Sequence, residues 1–264
     1  MQLNLSPDQL AQLSTLLTPE TKEIFLSNLY SDIESIISEL ERSKYKYYSD
    51  DEDKITNIIA VWLRAKGYDA REQNQSNGAV DLTVYDTKRK FCWLAEAKRG
   101  YSHNSVFEGL LQLVTRYVTT DDKEAGLLIY CQSSNAVNFF SGWHTYLYAG
   151  NYSKYKGVQN LLDECNKLFK QNQKDGIPIF SGGRNFDIVC RKKSGEEIKI
   201  KNFFADLHFS PIDKSARANA SLDKNKAKVD LMKHCNEWKY DSVCPSDINV
   251  FFENLEKTHP ELFE

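Results

Sequence analysis

The 264-residue sequence lacks the motifs that announce many functions outright. Its six cysteines (92, 131, 165, 190, 235 and 244) are scattered, and no two form a CxxC pair. That spacing argues against a zinc ribbon or a disulfide framework. Cysteines 92, 131 and 190 fall inside apolar, strand-like runs, so they are expected as buried free thiols in a reducing compartment, the cytoplasm. No apolar run approaches the ~20 residues that cross a bilayer, and the first ~20 residues lack the apolar core of a secretory signal. A membrane span and a secretory leader are therefore not expected. There is no GxxxxGK[ST] phosphate loop, so any ATP hydrolysis would have to come from a partner protein. Internal repeats are absent as well. An excess of either sign of charge is lacking, with 34 Lys and Arg against 37 Asp and Glu. A net −3 does not advertise nucleic-acid binding, but metal-site carboxylates add negative charge and basic patches can be local. With 41% hydrophobic and 27% charged residues, the composition is that of an ordinary globular protein.

What is present is concentrated between Gly78 and Arg99, GAVDLTVYDTKRKFCWLAEAKR. Two β-prone runs, 79–86 and 91–98, flank the polar turn Thr87-Lys88-Arg89-Lys90, the pattern of a β-hairpin. A four-residue turn places Asp86 opposite Phe91 and, counting outward, Asp81 opposite Glu96. Opposed residues share a sheet face, and Lys98, two residues beyond Glu96, projects from that face too. Two carboxylates opposed across a sheet are unfavourable unless something neutralises them. A divalent metal does so, since Mg²⁺ takes one or two carboxylates with water and substrate phosphate as its other ligands. A neighbouring lysine orients or deprotonates water, or stabilises charge developing on phosphorus. Asp81, Glu96 and Lys98 thus read as a metal-dependent phosphodiesterase centre.

This arrangement, Asp81 followed by Glu96-Ala97-Lys98, resembles the PD-(D/E)xK superfamily of restriction-endonuclease-like nucleases. The resemblance covers roughly residues 50–132. It departs from the pattern's name at Val80, where proline would stand. It implies an α/β fold: a restriction-endonuclease-like core with a mixed central sheet flanked by helices. It implies Mg²⁺ or Mn²⁺ held by Asp81, Glu96 and the backbone carbonyl of Ala97, and DNA as the substrate. Members of the superfamily often draw a further acid from a helix before the hairpin. Glu52 fits that position, as an outer or second-metal ligand, with Asp53 as the fallback. Many also carry a glutamine on the helix after ExK, which Gln112 matches. Small nucleases of this kind resemble effectors of bacterial restriction or anti-phage defence, which often depend on a second subunit, and double-strand cleavage from one site would favour a homodimer.

The rest of the chain divides into residues 1–48, an N-terminal helical segment, residues 49–150, the core, and residues 151–264, a C-terminal α+β extension that could be continuous with it. Ser6-Pro7-Asp8-Gln9 and Thr18-Pro19-Glu20 are helix starts. After the second, Phe25, Leu26, Leu29, Ile33, Ile36, Ile37 and Leu40 recur at helical spacing for about six turns. Ser49 and Asp50 are candidate caps for a helix from Glu52 to Lys66 that buries Ile55, Ile59, Trp62 and Leu63. A short strand at 68–72 leads into the polar loop QNQSNG. Beyond the hairpin, a helix from about Ser105 to Val118 has Phe107, Leu110, Leu111, Val114 and Val118 as its stripe and carries Arg116. AGLLIYCQ (125–132), apolar without alternation, reads as a central strand buried on both faces.

Further on, His144 sits in an aromatic stretch and is better read as a packed residue than a catalytic one. Residues 156–172 form a helix, 177–180 a possible strand, and 186–204 a second hairpin turning at Ser194-Gly195 behind a basic Cys190-Arg191-Lys192-Lys193 tip. The stretch 210–233, rich in lysine, is either a phosphate-binding segment or a solvated face. A last helix spans about 246–257, capped by Ser246, with Val250, Phe251 and Leu255 inside. The competing function is a non-catalytic nucleic-acid-binding or assembly subunit on a nuclease-derived fold.

Overall fold

The computed structural model describes residues 6, 21–75, 78–169, 180, 182–217 and 219–264. Apart from Ser6, the expected helix starts at Ser6-Pro7-Asp8-Gln9 and Thr18-Pro19-Glu20, and residues 177–179 of the possible strand, lie outside the described residues. The architecture is α/β: one six-stranded mixed sheet in the order β1-β2-β3-β4-β6-β5, with helices on both faces.

The first helix among the described residues, α1 (Lys22–Arg42), buries the predicted stripe from Phe25 to Leu40. Its cap is Thr21, whose Oγ1 accepts from the Ile24 N–H at 3.3 Å. Helix α2 (Glu52–Ala65) is capped by Asp51, not Ser49 or Asp50, because only Asp51 is placed to accept from the Lys54 N–H (2.8 Å). Both helices cover one sheet face, packing on Leu82, Val84, Trp93, Ala95, Ala97, Leu128, Tyr130 and Phe203.

The hairpin of β2 (Ala79–Tyr85) and β3 (Cys92–Arg99) pairs Leu82 with Ala95 through Tyr85 with Cys92, the register that a turn at 87–90 demands. Asp86 builds the turn: it is buried, its Oδ1 accepts from the Phe91 N–H (2.7 Å) and its Oδ2 from that of Lys88 (3.2 Å). The preceding strand β1 (Asp69–Gln75) runs past the predicted Glu72 into residues expected as loop. Backbone pairing with β2, Asn74 to Val80 and Gln75 to Ala79, carries the edge strand through these positions. Within β1 the ladder breaks at Gln73, whose φ of 44° is left-handed.

After β3 the chain forms α3 (His103–Gln112), capped by Ser102, and then one π-helical turn, Leu113–Tyr117, where a continuous α-helix was expected. Strand β4 (Glu124–Cys131) is central and buried, parallel to β3 on one side and to β6 on the other. Gly126 on β4 faces Trp93 of β3. A Cβ there would lie 2.0 Å from the indole ring, so the ring occupies the volume a side chain would need.

The aromatic stretch after β4 folds as α4 (Ala136–Tyr148), and α5 (Leu162–Phe169) follows a 3₁₀ segment where a longer helix was expected. With α3 they cover the second sheet face, among Leu94, Leu127, Ile129, Ile188, Ile200 and Phe204. His144 is packed there between the rings of Tyr148 and Phe186.

Strands β5 (Asn185–Arg191) and β6 (Glu197–Asp206) form the second hairpin and complete the same sheet. Its basic tip is partly structural: Lys192 is buried, and its ammonium donates to the carbonyls of Thr119, Thr120 and Asp122 at 2.9, 2.7 and 2.8 Å. The lysine-rich stretch is mostly helical, in α6 (Lys214–Arg217) and α7 (Ala220–Asp241). The last helix, α8 (Ile248–Thr258), is capped by Asp247 instead of Ser246 and leaves Val250 exposed, against expectation, because it packs chiefly on α7. Cys131, Cys165 and Cys190 are buried free thiols and Cys92 is half-buried. Among the described residues, no helix is long and apolar enough to cross a membrane.

Candidate active site

The strand alternation that buries Trp93, Ala95 and Ala97 on one face sends Glu96 and Lys98 to the other. Asp81, one residue beyond the last regular pair of the hairpin, reaches across it, and its Oδ2 accepts from the Ala97 N–H at 2.8 Å. Glu52, in the first turn of α2, comes over the carboxyl end of β3. Its Oε2 accepts from the Arg99 N–H at 2.9 Å.

All of these groups meet at Lys98. Its ammonium lies 2.7 Å from Glu96 Oε1, 2.8 Å from the Ala97 carbonyl, 3.3 Å from Glu52 Oε1 and 3.9 Å from Asp81 Oδ2. The four groups read from the sequence as cation ligands are therefore the four that surround this ammonium. Burial alone would lower the Lys98 pKa, but the fields of Glu52, Glu96 and Asp81 outweigh it and raise it above the ordinary lysine range. Glu96 is the converse case. Burial lifts its carboxyl to about 7, with Asp81 and Glu52 adding and Lys98 opposing. Glu52 is raised for the same reasons, burial first and then Asp81.

Three neighbours that sequence reasoning passed over complete the centre. Gly109 of α3 lies against the Lys98 stem, where a Cβ would come within 2.6 Å of Cγ and 2.9 Å of Cε. A glycine inside a helical pattern was the signal to look for. Tyr117 closes the π-helical turn beside Gly78, and its phenol is raised by burial and by the fields of Glu96 and Asp81. π-Turns recur at functional sites, but their shifted register hides them from a 3.6-residue count. Gln73 holds its left-handed backbone in a narrow cleft with Asp53, Thr56, Glu72 and Asp81, the kind of strain found at functional sites. Asp53 faces this cleft, accepting from Gln73 Nε2 at 3.4 Å. Gln112 ends α3 half-buried and, among the described residues, makes no hydrogen bond to the cluster; Arg116 is exposed.

Among the described residues, no three His, Cys, Asp or Glu side chains are grouped to hold a metal by themselves. The oxygen-only donors, two carboxylates and a carbonyl, suit a hard cation that takes its remaining ligands from water or phosphate. Glu96 Oε2 supports that fit, being a buried carboxylate oxygen with no hydrogen-bond partner. Comparisons with protein-family models, with curated proteins and with solved structures find no match for this chain.

Proposed function

We propose that the chain is a metal-dependent nuclease that hydrolyses phosphodiester bonds in DNA, built on a restriction-endonuclease-like core. One observation carries the reading: Asp81, Glu96, Glu52 and the Ala97 carbonyl converge on Lys98 at the end of β3. In this reading Asp81, Glu96 and the Ala97 carbonyl would hold Mg²⁺ or Mn²⁺, with Glu52 as an outer ligand. The ion, when bound, supplies Lewis acidity and lowers the pKa of a bound water. Lys98, held protonated by its carboxylate neighbours, orients the attacking water and offsets negative charge on the phosphorane oxygens. A lysine with a raised pKa is poorly matched to general-base duty near neutrality, so orientation is the role assigned to it. Glu52 secures the Arg99 backbone and thereby the direction of the Lys98 side chain.

A second reading, a non-catalytic nucleic-acid-binding or assembly subunit, is favoured by one feature. Lys98 already occupies Glu96 Oε1 and the Ala97 carbonyl, as a permanent substitute for the cation would.

Incubation of the protein with supercoiled plasmid and with single-stranded DNA, with and without Mg²⁺ or Mn²⁺, separates the two. Cutting that needs metal and is lost in Lys98→Ala and Glu96→Ala is the expected result. Undiminished cutting by Lys98→Ala would overturn the proposed centre. Mn²⁺ binding by calorimetry without cutting would point to a required activating partner, and absence of both would favour the second reading.

A further inference from the structure

The lysine-rich stretch, given no role by the proposed centre, forms part of a second cleft. On α7, Lys226, Val229, Asp230 and Lys233 share one helix face through their three-, four- and seven-residue spacings. That face closes a cavity of about 210 Å³ against Tyr48, Ser133, Ser134, His208 and Phe209. A second cavity of about 450 Å³ shares Tyr48 and Phe209 as its wall and extends past Tyr45, Asn219 and Asn225. Both lie near the carboxyl ends of β4 and β6, where Gln132 and His208 follow the strands. Open α/β sheets with parallel central strands bind ligands outside those ends.

The lining chemistry is specific. Lys226 is exposed and, among the described residues, has no ion-pair partner; Lys233 has Glu237 at 3.7 Å, beyond hydrogen-bond distance. The hydroxyls of Ser133 and Ser134 have no hydrogen-bond partner among the described residues. His208 spends Nδ1 on the Gln132 carbonyl (3.0 Å), which leaves Nε2 for a ligand. Asp230 is the one carboxylate of the smaller cavity, suited to accept from a sugar hydroxyl or a base amine. The aromatic wall is open at one end: Phe209, half-buried, lies 5.5 Å from the ring of Tyr48, which is buried, and 6.3 Å from that of Tyr45, which is 56% exposed. Two cations with hydroxyl donors suit a phosphate, and tilted aromatic rings beside side-chain amides suit a planar, hydrogen-bonding base.

We propose that this cleft binds a nucleoside phosphate, its phosphate on Lys226, Lys233 and the serine hydroxyls and its base against Phe209 and Tyr45. The site stands independently of the nuclease reading. The ligand can be a free nucleotide or one nucleotide of a strand, and the two sources are separable by experiment.

The full chain, kept in EDTA so that no metal-dependent cleavage intervenes, is titrated with AMP, ATP and dTMP by calorimetry. A labelled single-stranded oligonucleotide is titrated by anisotropy. The expected result is saturable binding that weakens at least tenfold in Lys226→Glu/Lys233→Glu and in Phe209→Leu. Lys193→Glu, an exposed reversal on the β5–β6 turn, should leave it unchanged. Mononucleotide binding lost in the cleft variants identifies a free nucleotide as ligand; oligonucleotide binding alone, lost in the same variants, identifies a strand. Absence of binding by the wild type at millimolar nucleotide and at micromolar oligonucleotide overturns the proposal. So does binding that the cleft variants retain, provided their circular dichroism matches the wild type.

Discussion

Glu96→Gln is expected to stabilise the metal-free protein at alkaline pH while abolishing its response to metal. The Glu96 carboxyl is 2% exposed, one of its oxygens has no partner, and its pKa is raised from 4.5 to about 7, chiefly by burial. An acid held above its unfolded value binds more protons folded than unfolded. Its contribution to stability is therefore full below pH 4.5 and is lost as the pH rises through about 7. At 1.36 kcal/mol per pH unit the loss approaches ~3 kcal/mol well above that value. Glutamine keeps the shape and removes the charge, and the value of about 7 already contains the 2.7 Å ion pair with Lys98. A gain approaching ~3 kcal/mol at about pH 8 follows, or several degrees in Tm at roughly 2–4 °C per kcal/mol. Thermal unfolding followed by circular dichroism near pH 5 and near pH 8, with and without millimolar Mn²⁺, reads all of this. The variant should melt higher than the wild type near pH 8 and nearly level with it near pH 5. Mn²⁺ should raise the wild type and leave the variant unmoved, because only a state that binds ligand is stabilised by it. A difference between the two proteins that does not change with pH, or equal stabilisation of both by Mn²⁺, would refute the reasoning.

Gly109→Ala improves helix propensity by ~1 kcal/mol yet places a Cβ 2.6 Å from Lys98 Cγ. It should cost at least tenfold in metal-dependent cleavage with little change in Tm; plasmid assays beside thermal melts check both. Lys192→Met should lower stability by ~2–4 kcal/mol in denaturant unfolding, because three carbonyls lose a charged, buried donor. Mn²⁺ affinity measured by calorimetry should not change in that variant, since Lys192 stands in the other hairpin.

Much of the core was legible because its signals are local. The hairpin register followed from one four-residue turn, and the burial of β4 from an unbroken apolar run. The α1 stripe, Phe25 to Leu40, is a plain 3.6-residue period. Helix starts were misplaced by one or two residues, since several polar residues before each helix could cap it and only tertiary placement selects Asp51 or Asp247. In the candidate centre, Asp81, Glu96 and Lys98 were legible through alternation, and Glu52 through its place on a helix. Gly109 and Tyr117 act through close approach across elements, and that leaves no period to count. Gln112 shows the reverse: a residue type at the expected position that, among the described residues, makes no hydrogen bond to the cluster. The second cleft was the least visible, because it is assembled from the loops after β4 and β6, α7 and the segment before α2, which lie far apart in sequence.

The meeting of Gly126 with the Trp93 indole has an evolutionary consequence. These neighbours on parallel strands share a single volume, filled from one side only. Neither position can drift alone: a methyl group at 126 is barred while the indole stands, and loss of the indole opens a void that a larger residue at 126 could fill. Positions 93 and 126 are thus expected to change together among descendants of a common ancestor, large with small or small with large. A lineage would have to pass from one pairing to the other through an intermediate with an empty core or an overfilled one.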